Sequence, residues 1–63
     1  MTFTQKLYIE TIEKYKDENN EIPSIRTIAD LVGVYSPSTV FYMLKRLNKK
    51  GYNYKEMKNY ENE

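Results

Sequence analysis

The sequence contains neither cysteine nor histidine. Without cysteine no disulfide or thiolate–metal framework can staple the chain. Without histidine the commonest general base, the commonest metal ligand and most triad chemistry are lost together. No apolar run approaches the roughly 20 residues that a membrane span needs, and nothing at the N-terminus has the layout of a signal peptide. The expected setting is therefore a reducing cytoplasm, bacterial or phage. Net charge is scarce as well: ten Lys and Arg face nine Asp and Glu, for a formal +1. That balance argues against a nonspecific nucleic-acid binder. At 63 residues the chain is one small domain, and folding buries only about 60% of the surface that such a chain exposes when unfolded.

The few charges are unevenly distributed. Up to Val34 the bases Lys6, Lys14, Lys16 and Arg26 are outnumbered by Glu10, Glu13, Asp17, Glu18, Glu21 and Asp30. Residues 35–55 then carry Lys45, Arg46, Lys49, Lys50 and Lys55 and no acid at all. One end is a local cation, as the footprint for a polyanion should be. A solvated helix end would carry the same bases, because they suit helix C-termini through the dipole. Glu10 with Glu13 or Asp17 reads as the solvated face of an amphipathic helix, not as a catalytic carboxylate pair. No residue set supports catalysis, a cofactor, a metal or a small-molecule ligand.

Three helices are expected. The first starts at Thr2, which forms a capping box with Gln5, or at Thr4, with Phe3 and Tyr8 as a hydrophobic staple. Tyr8, Ile9, Ile12 and Tyr15 share one face at helical spacing, and Asn19-Asn20 ends the pattern. Ile22 is expected to tuck back into the core. Ser24 caps the second helix, whose Ile25, Ile28, Ala29 and Val32 repeat at i, i+3, i+4, i+7. Gly33 ends it in the left-handed conformation, and Val34 plugs the turn. Ser36-Pro37 opens the third helix, serine as cap and proline at the first helical position. Val40, Met43, Leu44 and Leu47 line its buried side. At about 100° per residue, Ser38, Tyr42, Lys45 and Lys49 point away from that side, with Thr39 and Phe41 on the flanks. Gly51 stops this helix. The alternation Tyr52-Asn53-Tyr54 fits one short strand, and residues 56–63 form a polar tail expected to fray.

A glycine turn between two short helices, with a third supplying core, is the helix-turn-helix arrangement. The fold class is then all-α, with at most a small β wing. A major groove about 12 Å wide admits one helix. Small polar residues at the start of the third helix (Ser36, Ser38, Thr39) can approach base edges and phosphates. Lys45, Arg46 and Lys49 can hold the backbone further along.

The stretch IPSIRTIADLVGVYSPSTVFYMLKRLNKKGY also resembles the N-terminal DNA-binding domain of the SOS repressor LexA. Pro23-Ser24, Ile28-Ala29, Val32-Gly33-Val34, Ser36-Pro37-Ser38-Thr39-Val40, Leu44, Leu47 and Lys50-Gly51 carry the likeness, with Gln5, Ile9 and Ile12 from the first helix. The resemblance implies a winged helix-turn-helix, residues 1–55, that binds operator DNA as a dimer. Its contacts fall on Ser36, Ser38, Thr39, Phe41 and Tyr42. The peptidase domain of that family has no counterpart among these residues, so no self-cleavage is implied, and a second wing strand is not visible. Phe41 and Tyr42 stand where the family often has polar residues, so the operator sequence is not inherited.

Two functions fit this reading. One is a sequence-specific, repressor-like regulator of transcription that binds double-stranded DNA. The other is a protein-binding module on the same scaffold, such as a phage antirepressor or inhibitor, to which the low net charge and the two aromatics lend weight.

Overall fold

The computed structural model describes residues 2–57. Within them the chain forms α1 (Phe3–Asn19), α2 (Ile25–Val32) and α3 (Pro37–Lys49). Each boundary has a local cause. Thr2 caps α1 in a reciprocal box: its hydroxyl accepts from the Gln5 N–H at 3.1 Å while its own N–H donates to Gln5 Oε1 at 3.2 Å. The staple at Thr4 does not form, because Thr2 takes the cap and Phe3 stays in solvent. Asn20 ends α1 in the left-handed region at φ 53°. The Ser24 hydroxyl accepts from the Thr27 N–H at 3.1 Å to start α2, and Gly33, at φ 84°, ends it.

The end of α3 is a Schellman motif. The Tyr52 N–H reaches the Leu47 carbonyl at 2.9 Å and the Gly51 N–H reaches that of Asn48 at 3.0 Å, with Gly51 at φ 101°. The motif turns the chain so that Tyr52 folds back onto the core.

The core is Tyr8 and Ile12 from α1, Ile28 and Ala29 from α2, and Val40, Leu44 and Leu47 from α3. Ile9, Ile25, Val32, Val34, Met43, Tyr52 and Tyr54 pack around it. Three expectations are corrected here. Ile22 stays exposed and Pro23 is the buried residue of that loop; neighbours in an extended segment point opposite ways, so only one of the two can enter. Tyr15 lies at the margin, with its hydroxyl donating to Glu21 at 2.9 Å. The Tyr52–Tyr54 segment forms no strand, and no strand occurs among the described residues. Its alternation is real, with Tyr52 and Tyr54 half-buried and Asn53 and Lys55 exposed. The tyrosines pack on helices instead of pairing in a ladder. An Asx turn (Lys55 N–H to Asn53 Oδ1, 3.0 Å) and the bond from the Glu56 N–H to the Asn53 carbonyl (3.1 Å) then curl the chain.

The curled segment is held against α1 by a polar latch. Lys16 is buried, and its ammonium donates to Glu13 at 3.2 Å and to the Glu56 carbonyl. The Tyr52 hydroxyl donates to the same Glu13 carboxylate, and the Lys16 ammonium lies 5.7 Å from the centre of the Tyr52 ring. Burial first, and then the Glu13 bond and charge, push the Tyr52 phenol far above its ordinary value. Glu13 is thus half-buried and engaged, not part of a solvated face. Of the tail expected to fray, residues 58–63 lie outside the described residues.

Candidate nucleic-acid interface

The turn from α2 to α3 is four residues long, 33–36. Gly33 supplies the positive φ, and Val34 anchors the turn by donating its N–H to the Ala29 carbonyl at 3.0 Å. Tyr35, which follows Val34 in the turn, is fully exposed. The anchored turn fixes the direction in which α3 leaves. Because Val40, Leu44 and Leu47 are buried, the opposite side of α3 must stand out of the domain.

All eight residues expected at the site are exposed: Ser36, Ser38, Thr39, Phe41, Tyr42, Lys45, Arg46 and Lys49. Ser38, Tyr42, Lys45 and Lys49 fall on the side of α3 opposite its buried stripe, and Arg46 stands next to them. Ser36 occupies the cap position of α3, but its hydroxyl makes no capping bond, contrary to the expected serine cap; its carbonyl accepts from the Thr39 N–H at 3.1 Å instead. Proline at the first helical position has no N–H to satisfy, and the Thr39 N–H, one of the donors a serine cap serves, is taken by the Ser36 carbonyl. The Ser36 hydroxyl is left facing solvent at the positive end of the helix.

Two shallow concavities flank the ridge. Tyr42, Lys45, Arg46 and Lys49 line one of about 260 Å³. The other, about 420 Å³, runs between α3 and the curled segment, with Phe41 and Lys45 on one wall and Tyr54 and Lys55 on the other. Lys45 faces both. The rings of Phe41 and Tyr42 meet edge to face, centroids 5.8 Å apart at 70°. Sequence reasoning did not place Tyr35 or Lys55 at this surface. Lys55 had one signal, its place in the acid-free run. Tyr35 had none, since its exposure follows from how the turn is anchored. Among the described residues no cluster of Asp or Glu is arranged to hold a metal ion, and no helix is long and apolar enough to cross a membrane.

Three helices, a four-residue glycine turn before the last of them, and an acid-free projecting face on that helix make this a helix-turn-helix domain of the DNA-binding type. The family model described as LexA DNA binding domain matches residues 1–59, and the chain belongs to that family. It is similar to the LexA repressor of Carboxydothermus hydrogenoformans, 44% identical over 52 residues that make up 82% of this chain and 26% of the relative. The LexA repressors of Arthrobacter sp. and Thermobifida fusca are each 42% identical over 52 residues, 82% of this chain and 21% of theirs. The chain thus spans about a fifth to a quarter of the length of these relatives. No solved structure matches it significantly.

Proposed function

We propose that this chain is a sequence-specific DNA-binding repressor domain that enters the major groove with α3. The observation that carries the reading is the exposed side of α3, free of acid along its whole length, in a chain of the LexA DNA-binding family. Ser36, Ser38, Thr39, Phe41 and Tyr42 meet base edges and the nearest phosphates. Lys45, Arg46 and Lys49 neutralise the backbone, and Lys55 reaches it from beyond the groove beside α3. The domain, residues 1–55, works as a binding module and not as an enzyme, in the cytoplasm of a bacterium or its phage. Two copies bind one operator, each reading a half-site.

A genomic-fragment selection with the folded chain, followed by a salt series, tests this. An enriched motif with inverted half-sites is expected. Each neutralised phosphate contributes about 0.9 to the magnitude of the slope of log K against log salt, so Lys45, Arg46, Lys49 and Lys55 together give about 3.6 per chain. A selection that returns no motif, with affinity indifferent to salt, would refute the assignment.

A further inference from the structure

Resting on the DNA-binding reading above, we infer that α3 recognises thymine, through the 5-methyl groups that thymines present in the major groove. The argument starts from what the first two turns of α3 lack. Guanine is commonly read by a bidentate Arg or Lys, adenine by Asn or Gln, and cytosine by a carboxylate. Ser38, Thr39, Phe41 and Tyr42 are the exposed side chains of those turns that follow the proline, and none belongs to those types. The first cation is Lys45, a turn further on, where it shares a concavity with Arg46 and Lys49. That grouping suits phosphate better than a base edge.

What the reading turns do present is apolar. Phe41 is 51% exposed and Tyr42 63%. Their edge-to-face contact at 5.8 Å holds each ring against the other, so the pair meets a partner already ordered. Thr39 adds a methyl beside its hydroxyl. The apolar group that a base pair offers on the floor of the major groove is the thymine methyl. The cations on the same helix, with no acid among them, select a polyanion over an apolar protein surface as the occupant. From Ser38 to Tyr42 the helix advances about 6 Å, which spans about two base-pair steps of 3.4 Å. Each half-site should therefore hold thymines, on either strand, at two adjacent positions beneath these rings.

Uracil lacks only the methyl, so it isolates the contact. The full chain is used in a random-duplex selection at moderate salt. The selected site is then titrated with the thymines beneath α3 replaced by uracil, one at a time. Adjacent T·A or A·T pairs and a loss of about fourfold per methyl are expected, the equivalent of burying one methyl-sized group. Affinity for random DNA should not change. Phe41→Ala and Tyr42→Ala should abolish the difference between thymine and uracil, while Tyr42→Phe retains it. The DNA arm needs no variant protein, so a misfolded variant does not obscure the answer. A motif whose central pairs are G·C, or one in which uracil binds as well as thymine, overturns the thymine inference and leaves DNA reading intact. No motif at all overturns both.

Discussion

Replacing Tyr52 with phenylalanine removes one atom from the latch that holds residues 52–57 against α1. The lost bond runs from a phenol to the Glu13 carboxylate, in a half-buried position. Hydrogen bonds to charged groups contribute about 1.5–3 kcal/mol, and partial solvent access places this one toward the lower end, about 1–2 kcal/mol. Each kcal/mol shifts the midpoint of so small a domain by about 4–8 °C, so Tyr52→Phe should melt about 4–16 °C below the parent at pH 7, followed by far-ultraviolet circular dichroism. The pH dependence makes the test sharper. Burial and Glu13 raise the folded phenol above its ordinary value of 10.0. A raised pKa contributes stability that is fully present below the unfolded value and is lost as pH climbs past it, because the unfolded chain then releases a proton that the folded one retains. The full linkage slope is about 1.4 kcal/mol per pH unit, and screening at a half-buried site shortens the pH interval over which it acts. The stability gap between parent and variant should therefore narrow between about pH 10 and pH 11. Equal melting at pH 7, or a gap that stays constant across that interval, would refute the latch.

Leu44 lies at the centre of the α3 stripe and is 7% exposed; Leu44→Ala should cost about 2–5 kcal/mol, which denaturant unfolding would read directly. Lys49→Ala should weaken binding to all DNA sequences alike and lower the magnitude of the salt slope by about 0.9, measured by fluorescence anisotropy at several salt concentrations. The two serine caps should part company. Ser24→Ala should cost about 1 kcal/mol, because its hydroxyl holds the Thr27 N–H. Ser36→Ala should leave thermal stability within about 0.5 kcal/mol, since no capping bond is lost, while operator affinity measured on the same sample falls.

Cap residues, glycine positions and the 3.6-residue stripes were enough to locate the helices, because each of these signals acts over four or five residues of one chain. Thr2 with Gln5, Ser24, Gly33 and Ser36-Pro37 mark the helix ends where they occur. The stripe Val40, Leu44, Leu47 determined which side of α3 is buried, and hence that Ser38, Tyr42, Lys45 and Lys49 project. The resemblance to LexA, carried by those same segments, named the family that the comparisons then showed.

Tertiary structure alone decided the rest. Lys16 has no sequence signal for burial, since a lysine on an amphipathic helix is ordinarily in water; it is buried because Glu56, 40 residues away, brings a carbonyl to its ammonium. Glu13 leaves the solvated face because Tyr52, 39 residues on, folds over it. The period-two pattern at residues 52–54 records which side chains turn inward but not what receives them, and here they pack on helices where one short strand was expected. Whether Ile22 or Pro23 entered the core was likewise open until the loop had a direction. In each case the deciding partner lies outside the reach of local spacing, and only the closed fold brings the two groups into contact.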